Sequence, residues 1–264
     1  MHRLNNISKK IRKKIIYLSY KAKTAHLASS LSCVDLMVTI YEDFLKFNKK
    51  KISKNIFILS KGHAAMALYS ILNYKKIISN TVFESYSKVG SILEEHPTHN
   101  IPSVSVATGS LGHGLSVGCG MALSFKLKRL KKKIYVLLSD GECNEGSVWE
   151  AFLFAAANKL NNLVVIIDYN KWQATGRTDK ILKLGNLKKK LESFGFAAHE
   201  IDGHNFAQIK KNLKKTSKSK PLAVIANTVK GKGVSFMEDD NNWHYRSPDK
   251  KDYLRAIKEI DNLK

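Results

Sequence analysis

Apolar residues recur along this chain in two rhythms. Near the start, Ile11, Ile15, Ile16 and Leu18 share one face of a helix, with lysines and other polar residues between them. Further on come short unbroken apolar runs at 56–59, 134–138, 163–167 and 222–226, and a mixed stretch at 197–201 that also reads as a short strand. Runs this short and this rich in Ile, Val and Leu predict buried strands. Helix-forming stretches alternate with them: one from Ala64 onward, one over 81–89, an Ala-rich one ending near Asn158, one over 187–194 and a charged one over 249–264. Ser147 with Glu150 predicts a capping box for the Ala-rich helix. Ser32 with Asp35 predicts another, for a helix running to about Phe47.

Strands 134–138 and 163–167 are joined by a single helix, so they are expected to be parallel with a right-handed crossover. The alternation predicts an α/β protein with a mainly parallel sheet. No internal repeat, low-complexity linker or composition break interrupts it, and residues 1–264 are expected to form one domain.

Composition adjusts this picture in three ways. With 264 residues, 44% of them hydrophobic, the chain can bury a large core. No apolar run is long enough to span a bilayer. Cys33, Cys119 and Cys143 have neither metal-ligand nor paired spacing, and predict reduced thiols of a cytoplasmic protein. The basic first twenty residues suggest a targeting peptide, but the motif at His26 leaves no room for a cleaved segment, and their apolar spacing suits the first helix of the mature domain.

The formal net charge of +23 raises the question of a nucleic-acid partner. The lysines lie in short scattered runs such as 49–51, 131–133 and 188–190. They do not form one stripe interleaved with aromatics, so the expectation is a solvated basic surface without a specific nucleic-acid or membrane partner.

The chemistry concentrates where strands end. Asp140 and Asn170 each lie just past the carboxyl end of an apolar run, on strands that as neighbours would stand about 5 Å apart. Ligands of open parallel sheets bind at that edge. A carboxylate and a carboxamide oxygen beside a helix N-terminus suit Mg²⁺ holding a diphosphate. On spacing alone the alternative stays open that Asp140 caps a turn and Asn170 merely ends a strand. Residues 108–127, TGSLGHGLSVGCGMALSFKL, are glycine-rich but fit a dinucleotide fingerprint poorly: no strand leads in and no ribose-binding acid follows. Lys230-Gly231-Lys232-Gly233 lacks the spacing of a phosphate loop.

The segment DGECNEGSVWEA, followed by NNLVVIIDYNKWQ, resembles the thiamine-diphosphate motif, and specifically that of transketolase. The family's usual Gly-Asp-Gly opens here with Ser139. KTAHLASSLSCVD, SKGHAAMALYSIL, the His96-Pro97 pair, TGSLGHG, Asp202-Gly203-His204-Asn205 and the loop holding His244 resemble the family in the same order, over about residues 26–248. Ser110 and His113 match the form seen in shorter, two-chain relatives.

The resemblance implies a three-layer thiamine-diphosphate-binding fold. It implies Asp140, Asn170 and the backbone carbonyl of Trp172 as ligands of Mg²⁺. His63, Gly109, Ser110, Leu111, Gly141, Glu142, Asn170 and His244 would contact thiamine diphosphate. His26, His96 and His244 would bind sugar and move protons, and Glu145 would lie at a subunit interface. The implied activity is transfer of a two-carbon ketol unit from a ketose phosphate to an aldose phosphate, in the pentose phosphate pathway. The match reaches only the first domain of a full-length transketolase, so a C-terminal partner subunit is implied, in an α2β2 assembly. Three alternatives are set against this: the α subunit of a 2-oxo acid dehydrogenase, a deoxyxylulose-phosphate synthase fragment, and a nucleic-acid-binding module suggested by charge alone.

Overall fold

A computed structural model describes residues 2–50 and 52–263. Lys51 and Lys264, which close two of the expected charged segments, lie outside the described residues.

Eleven α-helices and five strands are described. The chain opens with α1 (His2–Ala22), α2 (Leu27–Ser32) and α3 (Val34–Thr39), the last continuing into a π-helical turn, Ile40–Phe44. Then follow β1 (Ile56–Leu59), α4 (Ala65–Tyr74), α5 (Asn80–Glu84) and α6 (His113–Leu127). The central unit is β2 (Ile134–Ser139), α7 (Gly146–Ala157) and β3 (Leu163–Tyr169). The remainder is α8 (Thr178–Ile181), α9 (Leu187–Ser193), β4 (Ala197–Asp202), α10 (Phe206–Leu213), β5 (Leu222–Asn227) and α11 (Lys250–Asp261).

The strands form one sheet in the order β1-β2-β3-β5-β4, and every pairing is parallel. Strands covered on both faces need apolar residues at every position, and β2 is buried throughout. Alternate residues feed two cores. Tyr135, Leu137, Val164 and Ile166 face one, with Ile11 and Ile15 of α1 and Leu68 of α4. Val136, Leu138, Val165 and Ile167 face the other, with Leu115 of α6, Phe152 of α7 and Leu191 of α9. Helices thus cover both sheet faces, giving the expected three layers.

Several local expectations fail, and at the two expected capping boxes this is because a tertiary partner takes the serine hydroxyl that was to act locally. α7 begins at Gly146, and Ser147 caps nothing: its hydroxyl donates to the Gly112 carbonyl at 3.1 Å. Ser32 ends α2 instead of starting a helix, and its hydroxyl donates to Asp168. Asp35 pairs with Arg12, and the helical run stops at Phe44 instead of Phe47. The helix expected over 81–89 spans only Asn80–Glu84; Ser87 takes a left-handed φ of 56° and Val89 is fully exposed. Thr178, expected in a loop, opens the short α8.

Candidate functional site

The carboxyl edge of the sheet gathers the loops that carry the predicted residues. After β1, Ser60 and Lys61 lead into a 3-10 turn, Gly62–Ala64, that presents His63. After β2, Asp140 precedes a second such turn, Gly141–Asn144. Asn170 follows β3 directly. His26 enters α2 in a left-handed conformation (φ 67°), and its amide donates to the His244 carbonyl at 2.7 Å, joining the two ends of the chain over the sheet. The glycine loop comes equally close: a Cβ on Gly62 would lie 2.8 Å from the Gly109 amide nitrogen. Only glycine permits that approach.

Between these loops lies a cavity of about 360 Å³. His26, His63, His96, Gly109, Leu111, Gly141, Glu145, Asn170, Trp172 and His244 all line it. The His26 ring centroid stands 5.6 Å from that of His63, 5.9 Å from His96 and 5.1 Å from His244. Three predicted residues are not in the wall. Ser110 is exposed outside it. Asp140 is fully buried and absent from the lining. Glu142, expected against cofactor, is also fully buried: its carboxylate accepts from the Ser60 hydroxyl and from the amides of Gly112 (3.0 Å) and Ser139 (3.3 Å). That carboxylate ties three site loops together. Ser139 needs no left-handed backbone, being the last residue of β2, and its hydroxyl accepts from the Glu142 amide at 3.2 Å.

The electrostatics separate into two kinds of unmet charge. Asp140 Oδ2 accepts from the Thr178 hydroxyl at 2.8 Å, while Oδ1 is buried without a hydrogen-bond partner among the described residues. Burial, reinforced by Asp168, pushes its pKa up to about 6. Asn170 turns its carbonyl oxygen to the Trp172 amide at 3.0 Å. A carboxylate oxygen without a partner among the described residues, at the end of β2 next to the strand that Asn170 follows, offers with the Asn170 carboxamide oxygen a hard, all-oxygen donor set of the kind a divalent cation takes.

The second kind is positive. Lys61 is fully buried; burial works against its charge, but the contact with Asp168 holds its pKa above normal. Lys230 Nζ lies 3.0 Å from His244 Nδ1 and 2.6 Å from Asn241 Oδ1. Burial and then Lys61 depress it to about 7. Burial likewise keeps the imidazoles neutral: His26 falls to about 4, His244 to about 3, and His63 well below its ordinary value. Neutral rings in a positive field can offer hydrogen bonds to an anion without competing for protons at neutral pH.

Sequence reasoning misses Lys61, Asp168 and Lys230. Lys61 stands inside the SKGH segment, and Lys230 stands out in sequence only as an imitation of a phosphate loop. Asp168 accepts from the hydroxyls of Ser32 and Thr228 as well as from the Lys61 ammonium, contacts that no local spacing reveals.

Residues 5–261 match the family model described as transketolase, thiamine diphosphate binding domain. The chain belongs to the transketolase family. It is 38% identical over 258 residues to a subunit of the apulose-4-phosphate transketolase of Phocaeicola vulgatus, covering 96% of this chain and 92% of that one. It is 33% identical over 261 residues to human transketolase, covering 97% of this chain but 42% of the human protein. Among solved structures, a transketolase from Campylobacter jejuni superposes with a TM-score of 0.92 at 27% identity, over 100% of this chain and 44% of that one. The chain therefore spans less than half of those two transketolases and nearly all of the Phocaeicola chain. No helix among the described residues is long and apolar enough to cross a membrane.

Proposed function

We propose that this chain is the thiamine-diphosphate-binding subunit of a two-chain transketolase, working with Mg²⁺ and a C-terminal partner subunit. The observation that carries the reading is the pairing of opposite unmet charges at one sheet edge. Asp140 has a carboxylate oxygen with no partner among the described residues, and Lys230 is an ammonium depressed by burial and by Lys61. A cation bound to a diphosphate relieves both at once.

In this reading Asp140, Asn170 and the Trp172 carbonyl hold the metal, and His63, Gly109, Leu111 and Gly141 receive the cofactor, with Ser110 presenting only its backbone. Thiamine diphosphate supplies the group that carries the two-carbon unit. His26, His96 and His244 hold sugar hydroxyls and exchange protons with them, and their mutual packing fixes the donor directions. The substrates are a ketose phosphate and an aldose phosphate, as in the pentose phosphate pathway. Three buried, unbridged thiols are in keeping with a reducing cytoplasm.

Two features support the partner. Glu145 is an exposed residue at the cavity rim. Val117 of α6, Leu153 and Phe154 of α7, Ile181 of α8 and Leu182 just after it are large apolar residues left exposed, as residues an interface covers would be. The Phocaeicola relative, itself named as one subunit of a transketolase, and the half-length match to full-length transketolases agree with an α2β2 assembly of two such chains with two C-terminal subunits. The test is turnover of a ketose phosphate with an aldose phosphate, given thiamine diphosphate and Mg²⁺. Activity is expected only when the C-terminal subunit is added. Turnover by this chain alone, purified free of host transketolase, would overturn the two-chain reading.

A further inference from the structure

We infer that Arg12, Asp35 and His204 form a buried clamp that positions Lys230 against His244, making His204 a positioning residue for the wall of the cavity. The inference rests on the functional reading above only in supposing that this wall receives the cofactor.

The clamp starts from an ion pair between α1 and α3. Arg12 donates to both oxygens of Asp35, at 3.0 and 2.7 Å, and the two residues are 4% and 5% exposed. Such a two-pronged contact fixes orientation as well as distance. Asp35 Oδ2 also lies 2.9 Å from His204 Nδ1, in the loop after β4. The other ring nitrogen of His204 accepts from the Val229 amide at 2.9 Å. An acceptor at Nε2 carries no proton, so the proton sits on Nδ1 and points at Asp35. The carboxylate thus sets the ring's tautomer, and the tautomer makes the ring an acceptor for Val229.

Val229 immediately precedes Lys230, and the far side of the same turn is gripped too. Arg12 Nε donates to the Lys232 carbonyl at 2.9 Å. The Gly231 amide donates to the Ala28 carbonyl at 3.0 Å, and the Lys230 carbonyl accepts from the Asp239 amide at 2.8 Å. Gly233 takes a φ of +98°, and a Cβ there would stand 2.8 Å from Arg12 Cδ. The turn is built around the guanidinium. Lys230 has one short backbone segment held at both ends, and its side chain reaches Asn241 and His244 from there. Asp202-Gly203-His204-Asn205, left without a part in the site, acquires one through this contact.

A role confined to joining α1, α3 and the β4–α10 loop would stabilise the fold without setting Lys230. Amide hydrogen exchange on the chain alone separates the two. In His204→Ala, exchange at Val229 and Gly231 is expected to quicken at least tenfold, while amides of α4 keep their parental rates. His204→Gln offers an oxygen to the Val229 amide and an N–H toward Asp35, and is expected to restore slow exchange. With Mg²⁺ and the partner subunit present, thiamine diphosphate should bind about tenfold more weakly to the Ala variant, about 1.4 kcal/mol, and near parental strength to the Gln variant. The inference is overturned by parental exchange at Val229 in the Ala variant, by a uniform rise that includes α4, by a Gln variant as loose as Ala, or by unchanged cofactor affinity in the Ala variant. Failure of the unaltered protein to bind thiamine diphosphate would instead sink the functional reading, and the exchange results would then decide the clamp alone.

Discussion

Replacing Asp140 by Asn should stabilise the free chain while weakening its grip on a cation. Asp140 is fully buried, and its Oδ1 has no hydrogen-bond partner among the described residues. Burial is the main cause of its raised pKa; Asp168 adds to it, while Thr178 and Lys61 oppose it. The rise from 3.8 to about 6 corresponds to about 3 kcal/mol, at about 1.4 kcal/mol for each tenfold change in proton affinity. The sign follows from linkage. Between those two values the folded chain binds more protons than the unfolded one, so stability falls as pH rises through that window and stays lower above it. Asn carries no charge to desolvate and keeps an oxygen for the Thr178 hydroxyl. Urea unfolding of both proteins should show little difference near pH 4 and a gain of up to ~3 kcal/mol for Asp140→Asn near pH 7. Adding Mg²⁺ with thiamine diphosphate should raise the melting temperature of the parent and not of the variant. An Asn variant less stable than its parent near pH 7, or a difference that ignores pH, would refute the reasoning.

Three further outcomes follow from the same geometry. Lys61→Met leaves the buried Asp168 carboxylate with two hydroxyl donors and no counter-charge, and should cost about 3–5 kcal/mol in urea unfolding; a loss under ~1 kcal/mol would contradict the buried-pair argument. His63→Ala should weaken cofactor affinity, whereas His96→Ala should act on turnover and substrate affinity; steady-state kinetics of the assembled enzyme checks this, and matching phenotypes would remove the assignment. The His26 ring should remain neutral down to about pH 4, followed by its NMR shift. Because its pKa is depressed in the folded chain, acidification from near 6.5 toward that value should destabilise the protein, and a ring that titrates near its ordinary value would show the pocket to be wetter than described.

Much of the fold was legible because strands and the central β-α-β unit declare themselves locally. The four apolar runs became strands within a residue or two of the expected ends, since a buried parallel strand must be apolar on both faces over a short span, and the mixed stretch at 197–201 became β4 at the sheet edge, where Glu200 is exposed. His63, Asp140 and Asn170 were legible from motifs lying just past strand ends, and His26, His96, the glycine loop and His244 from the resemblance; the structure lines one cavity with the histidines, Gly109, Leu111 and Asn170. Hydroxyl and carboxylate assignments were not legible. Ser147 and Ser32 each had a plausible capping neighbour in sequence and Glu142 an expected cofactor contact, yet they found partners 35, 136 and 30 residues away. Lys230 and His204 show the same limit, because the contact that joins His204 to Asp35 spans 169 residues.

By itself, then, the sequence determined the period of burial, the strand and helix order, and which short segments carry ligand-binding residue types. Tertiary structure decided which polar groups are satisfied and which are left over. Hydrophobic periodicity is repeated along each element and survives any local error. A buried hydrogen bond is a single choice among distant partners, made only once the sheet order β1-β2-β3-β5-β4 has brought the loops together. The Asp140 oxygen without a partner among the described residues and the depressed ammonium of Lys230 exist only at that level.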